Sequence, residues 1–100
     1  MITLSNGMEI PQIGVGTWTL KDEVASTNVR LALEAGFRLI DTAQMYANEE
    51  AVGKGISESG VKREEIFLTT KVSTTVMRES EAVIRASIDE SLRKPQTPYI

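Results

Sequence analysis

The stretch Arg38-Leu39-Ile40-Asp41-Thr42 decides the fold, because it is a short apolar run between two helical segments. Before it, Asp22 caps a predicted helix that runs to about residue 35, with apolar side chains at helical spacing. After it, Asn48 caps a second predicted helix, which ends at Gly60. The run 38–42 is therefore predicted to be a buried strand between two helices.

Two more strands and a third helix repeat this pattern. Strands are predicted at 13–16 and 66–70, a third helix from about residue 78 to residue 94, and the start of a fourth strand at Pro98-Tyr99-Ile100. The predicted strands begin about 25 to 32 residues apart, which is the length of a βα unit. Alternating strands and helices form a parallel sheet with right-handed crossovers, so the predicted fold class is α/β.

The first ten residues differ from this pattern. Ser5-Asn6-Gly7 stands between the short runs 2–4 and 8–10, and Asn-Gly in that setting predicts a β-hairpin. The hairpin and about three βα units fill all 100 residues, whereas an eight-unit barrel needs about 250. Residues 1–100 are therefore predicted to be the N-terminal portion of a larger α/β domain, with the hairpin at 2–10 and the βα units at 13–100.

The composition excludes several classes of site and partner. The chain has 11 basic and 14 acidic residues, interspersed, so we expect neither nucleic acid nor a membrane surface as a partner. It has no cysteine and no histidine, which excludes thiolate, imidazole and Cys-type zinc sites within it. The acidic pairs at 49–50 and 64–65 are interpreted as solvated faces, and no metal is expected. There is no signal peptide and no apolar run of about 18 residues, so we expect a soluble cytoplasmic protein.

Two glycine pairs suggest phosphate-binding motifs but do not match them. Gly14-Val15-Gly16 lacks the third glycine of a dinucleotide fingerprint, since that position is Thr19. Gly53-Lys54-Gly55 is not a P-loop, because no glycine stands five residues before Gly53 and Ser57 does not follow a lysine. Glycine inside a helix costs about 1 kcal/mol relative to alanine, so this second pair predicts that another part of the chain packs closely against the helix.

Three side chains with acid–base chemistry follow two of the predicted strands. Asp41 and Lys71 stand at the carboxyl ends of the second and third strands, and Tyr46 lies in the short loop after Asp41. Parallel strands bring these ends to one edge of the sheet, where α/β folds bind their ligands. An ammonium beside a phenol favours the phenolate and lowers the tyrosine pKa, which predicts a metal-free proton-transfer site. The alternative is a surface ion pair beside a half-buried ring, and the spacing alone leaves both open.

Five stretches of the sequence together resemble the aldo-keto reductase family, and most of all its bacterial diketogluconate and glyoxal-type reductases. These stretches are 14–18, 34–43, 46–53, 61–71 and 91–94. The likeness runs in consecutive order from the hairpin to Ile100. It implies a TIM (β/α)8 barrel whose bottom is plugged by the hairpin at residues 2–10.

The resemblance also implies an activity, the NADPH-dependent reduction of small aldehydes and ketones to alcohols, in a full-length protein that is a monomer. Hydride passes from the nicotinamide to the carbonyl carbon. By match to the family motif, Tyr46 donates the proton to the carbonyl oxygen, Lys71 lowers the pKa of Tyr46, and Asp41 pairs with Lys71. Thr17, Trp18 and Asp41 match positions near the nicotinamide end of the cofactor, and Trp18 also lines the substrate pocket. No metal is implied.

Two features depart from the family pattern. The family has a catalytic histidine at the end of strand four, beyond Ile100, and this sequence has no histidine. Pro95 stands where the family more often has leucine. Because the chain holds only three of the family's four catalytic residues, we expect the 100-residue chain alone to be inactive. The alternatives are a truncated, non-catalytic protein that survives as a self-associating or interaction module, and a flavodoxin-like nucleotide binder, which explains neither the hairpin nor the edge residues.

Overall fold

A computed structural model describes residues 1–100 and contains two small sheets and three α-helices. The elements follow in the order β1 (Ile2–Thr3), β2 (Glu9–Ile10), β3 (Gly14–Gly16), α1 (Asp22–Glu34), β4 (Leu39–Asp41), α2 (Glu49–Glu58), β5 (Phe67–Thr69) and α3 (Glu81–Arg93). Short 3-10 turns lie at Gln44–Tyr46, Arg63–Glu65 and Val76–Arg78. The predicted alternation of strands and helices is confirmed. No helix combines the length and the apolar character that crossing a bilayer requires.

The first ten residues form the predicted β-hairpin. β1 pairs antiparallel with β2, with Ile2 opposite Ile10. The turn is closed by the Gly7 amide, which donates to the Leu4 carbonyl at 2.9 Å. Gly7 has a φ of +87°, a conformation that side chains disfavour, so the Asn-Gly signal located the turn correctly.

The other three strands form a parallel sheet in the order β3-β4-β5. Val15, Ile40 and Leu68 stand opposite one another in the middle of the strands. Ile40 and Leu68 are buried in a cluster with residues from α1, α2 and the segment before β5, namely Val29, Leu33, Val52 and Ile66. The core therefore lies between the sheet and the helices, and it leaves the carboxyl edge of the sheet free for chemistry.

The helices α1 and α2 approach each other at Gly55. A Cβ atom added to Gly55 would lie 2.5 Å from the backbone oxygen of Ser26 and 2.8 Å from Cβ of Val29. A Cβ atom added to Gly53 would overlap the backbone of Pro95, which follows α3. The predicted close packing at both glycines is confirmed, and Pro95 fills space beside α2 with its own backbone.

The structure corrects the predicted starts of the first and third helices. The residue before α1 is Lys21, which has extended backbone (φ −125°, ψ 148°), whereas Asp22 has a φ of +45° and so lacks the conformation of a capping residue. The third helix starts at Glu81 instead of residue 78. Ser80 caps it by accepting from the Val83 amide, which separates it from the preceding 3-10 turn.

The segment Pro98-Tyr99-Ile100, predicted to start a fourth strand, forms no strand in this structure. Arg63 holds this segment instead. Its guanidinium donates to the Tyr99 carbonyl at 2.6 Å and lies 4.0 Å from the centre of the Tyr99 ring. It also donates to the Thr97 hydroxyl at 2.7 Å. These contacts hold the last residues beside the Arg63–Glu65 turn.

Candidate active site

Asp41, Tyr46 and Lys71 meet at the carboxyl edge of the parallel sheet. Lys71 Nζ lies 3.0 Å and 2.9 Å from the two carboxylate oxygens of Asp41, and 3.5 Å from the hydroxyl oxygen of Tyr46. It also donates to the Thr42 carbonyl at 3.1 Å. The structure therefore brings the three predicted acid–base residues together, with the ammonium between the carboxylate and the phenol.

The position of Asp41 follows from the register of the sheet. Asp41 ends β4, directly opposite Thr69 at the end of β5. The Thr69 hydroxyl donates to Oδ1 of Asp41 at 2.5 Å, so the neighbouring strand orients the carboxylate toward Lys71. The side chains of Asp41 and Lys71 are 38% and 54% exposed, which leaves the group open to a ligand from the solvent side.

The charge of Lys71 is stabilised by its neighbours. Partial burial lowers the pKa of Lys71, but the hydrogen bonds to Asp41 and Tyr46 and the negative charge of the Asp41 carboxylate outweigh this, and the pKa is raised above its ordinary value of 10.5. Lys71 is therefore a cation throughout the neutral pH range. The structure thus keeps a positive charge 3.5 Å from the Tyr46 hydroxyl oxygen.

A tight turn carries Tyr46. The 3-10 turn Gln44–Tyr46 ends at Ala47, which has left-handed backbone (φ +54°, ψ +35°). Lys21 Nζ donates to the Tyr46 carbonyl, and the Gln44 carboxamide accepts from the Ser73 amide at 2.8 Å. The turn is thus fixed from the loops that follow β3 and β5.

The two residues predicted near the cofactor from the first βα unit have different surroundings. Thr17 is fully buried, and its hydroxyl donates to the Asp41 carbonyl at 3.0 Å. Trp18 follows it and is 72% exposed. Thr17 therefore acts on the site by fixing Asp41, and Trp18 is the residue of the two that offers surface to a ligand.

Sequence reasoning missed the role of two polar residues at the start of α2. Asn48 stands at the predicted capping position, but its side chain makes no bond to its own helix and instead contacts the loop after β3 and Thr42. Glu49 was predicted to be solvated, yet it is only 4% exposed and accepts from the Thr70 hydroxyl. Both residues also suit a helix start, so the local pattern carried no signal for these long-range contacts.

The profile of the aldo/keto reductase family matches residues 12–100. This chain belongs to the aldo/keto reductase family. It is 46% identical over 93 residues to methylglyoxal reductase DkgB of Salmonella typhi, a match that covers 93% of this chain and 34% of that protein. The predicted resemblance to the bacterial branch of the family is confirmed.

Solved structures agree with this assignment. The crystal structure of the aldo/keto reductase from Brucella melitensis superposes with a TM-score of 0.92 at 42% identity, over 99% of this chain and 37% of that one. The Bombyx mori aldo-keto reductase in complex with NADP superposes with a TM-score of 0.87 at 41% identity, over 99% of this chain and 35% of that one. The predicted fold class, part of an aldo-keto reductase barrel, is confirmed. The chain spans about a third of the length of the curated relatives it matches.

Proposed function

We propose that this chain provides the proton-transfer half of an NADPH-dependent reductase that converts small aldehydes or ketones to alcohols. The observation that supports this most is the single ammonium of Lys71 within hydrogen-bonding reach of both Asp41 and the Tyr46 hydroxyl. Membership of the aldo/keto reductase family supports it independently.

In this proposal Tyr46 donates its hydroxyl proton to the carbonyl oxygen of the substrate. Lys71 stabilises the phenolate that remains, and Asp41 keeps Lys71 charged and in place. When NADPH is bound, it supplies the hydride that reaches the carbonyl carbon. Because the three side chains meet on an open edge, the substrate oxygen can approach the phenol from the solvent side.

The residues present fit the nicotinamide end of the cofactor. Trp18 offers an exposed indole for a planar ring, and Asp41 offers a partly exposed carboxylate. Thr17, which is buried, supports Asp41 in this proposal by donating to its carbonyl. Lys21 and Lys71 are both engaged with protein groups, so neither is assigned to the cofactor phosphates.

The test uses the full-length protein that contains this chain. The intact mass of the native polypeptide shows how long that protein is. Tyr46→Phe should lower NADPH oxidation with methylglyoxal by about 100-fold to 10,000-fold, the range for a lost general acid. NADPH binding, measured by fluorescence, should be nearly unchanged. Tyr99→Phe is the matched control, because Tyr99 lies beside Arg63, away from this group. Near-normal turnover by Tyr46→Phe would overturn the assignment.

The 100-residue chain alone is proposed to be inactive. The outer edges of β3 and β5 have no partner strand in this chain, and unpaired edges favour association with another chain. An intact native mass near 11.0 kDa would favour the second candidate, a non-catalytic module that self-associates. A defined oligomer on a sizing column with a cooperative thermal transition would support that candidate, whereas NADPH turnover by the isolated chain would refute it.

A further inference from the structure

Two consecutive polar residues at the start of α2 are buried without touching the reacting group. Asn48 is 3% exposed and Glu49 is 4% exposed. Buried polar groups are costly unless they are hydrogen-bonded, so their bonding partners indicate what they do. Their side chains bond to segments that follow all three strands of the parallel sheet.

Asn48 connects the loop after β3 to the end of β4. Its Nδ2 donates to the carbonyls of Thr17 at 2.9 Å and Leu20 at 3.0 Å, while its Oδ1 accepts from the Thr42 hydroxyl at 2.6 Å. Carbonyl oxygens only accept, so the nitrogen of the amide must face them. An aspartate would place an oxygen there instead. The two carbonyls stand on either side of Trp18 in the chain, so Asn48 fixes the loop that carries the indole.

Glu49 connects α2 to the segment that carries Lys71. Its Oε2 accepts from the Thr70 hydroxyl at 2.7 Å, and Thr70 directly precedes Lys71. None of the ion pairs in the chain includes Glu49. Its place in the first turn of a helix is one that favours a negative charge. The bond therefore fixes the backbone from which Lys71 reaches Asp41.

We propose that Asn48 and Glu49 are positioning residues for the reduction, which hold the Trp18 loop and the Lys71 segment at fixed places around Tyr46. This inference rests on the proposed function. Tyr46 lies only two residues before Asn48, so the segment that carries the phenol runs directly into this helix start. Displacing a catalytic group by about 1 Å can cost about 100-fold in rate, so small shifts of these segments are expected to matter.

The experiment compares variants of the full-length protein under saturating NADPH. Asn48→Asp is expected to raise the KM for the carbonyl substrate and to lower kcat, because the loop with Trp18 loses its hydrogen bonds to the Asn48 nitrogen. Glu49→Leu is expected to lower kcat by about 10-fold to 100-fold with KM little changed, because Lys71 is displaced. Glu49→Gln keeps an oxygen that can accept from Thr70, so it should recover most of the activity. The exposed residues Asn28 and Glu50 supply matched controls, Asn28→Asp and Glu50→Leu.

The readouts separate positioning from plain folding. Rates are expressed per NADPH-binding site, and the urea midpoint is measured for each variant. In the pH profile of kcat, the fall on the basic side should move for Glu49→Leu and stay in place for Glu49→Gln. Lower stability with an unchanged kcat per binding site would overturn the proposal.

Two further variants test the proposal if a variant of Asn48 or Glu49 does not fold. Thr42→Val and Thr70→Val each remove one partner hydroxyl and keep the residue's shape. They should lower kcat as the changes of Asn48 and Glu49 do, but Thr42→Val less than Asn48→Asp, because the Asn48 nitrogen keeps both of its carbonyl partners. Wild-type rates in both would overturn the positioning role. Absence of NADPH oxidation by the wild-type protein would instead refute the proposed function, and this inference with it.

Discussion

A methyl group added at Gly55 is expected to weaken the contact between α1 and α2. The new carbon would lie 2.5 Å from the Ser26 backbone oxygen and 2.8 Å from Cβ of Val29. Real Cβ contacts are essentially never closer than 3.0 Å, so something must move. The Ser26 oxygen belongs to helix backbone, and Val29 is fully buried. The two helices must therefore separate in Gly55→Ala.

Two effects of opposite sign determine the size of the change. Alanine is favoured over glycine inside a helix by about 1 kcal/mol. Overpacking a tight contact costs about 1 to 3 kcal/mol, and occasionally more. A rigid backbone contact belongs at the upper end of that range. The expected net loss is about 1 to 2 kcal/mol in the free energy of unfolding.

Urea unfolding followed by circular dichroism measures this loss. With a slope of about 2 kcal/mol per M, the midpoint should fall by about 0.5 to 1 M. The control is Lys54→Ala, an exposed position next to Gly55 in the same helix, which should have nearly the wild-type midpoint. A midpoint for Gly55→Ala equal to or above that of the wild type would refute this account of the α1–α2 contact.

Two further predictions concern Lys71 and Ser80. Because the pKa of Lys71 is raised on folding, its ion pair contributes fully to stability below about pH 10.4 and loses that contribution as the pH rises through the folded value. The difference in unfolding free energy between the wild type and Lys71→Met should be small, because Lys71 is 54% exposed. This difference should be constant near neutral pH and should become smaller above pH 10.5. A difference that grows above pH 10.5 would contradict this prediction. Ser80 accepts from the Val83 amide at a long 3.4 Å. Ser80→Ala should therefore lower the free energy of unfolding, measured in urea, by about 0.5 kcal/mol, the low end for a helix cap. A loss above about 2 kcal/mol would be inconsistent with that bond.

Much of the fold was predictable because it depends on local patterns. Asn6-Gly7 located the hairpin turn, and the apolar run at 38–42 located the central strand. Asp41 and Lys71 were predicted to meet because parallel strands place their carboxyl ends at one edge, and the register of the sheet does this. The helix cost of Gly53 and Gly55 was enough to predict close packing there.

The rest depends on partners far away in the sequence. Asn48 and Glu49 were assigned ordinary roles at a helix start, but their partners lie 31 and 21 residues away. Pro98-Tyr99-Ile100 has the composition of a strand, yet in this structure it forms no strand and contacts Arg63. Contacts between groups that are far apart in the sequence leave no mark on local periodicity.

The left-handed backbone of Ala47 also shapes how this site can change by mutation. A non-glycine residue in that conformation costs about 1 to 2 kcal/mol. Glycine would remove this cost and would lose only about 0.4 to 1 kcal/mol through its greater freedom in the unfolded chain. Replacement of Ala47 by glycine is thus neutral to stabilising for folding, while the peptide beside Tyr46 becomes looser. Drift at this position would therefore not lower protein abundance, and its effect would fall on how firmly the phenol is held.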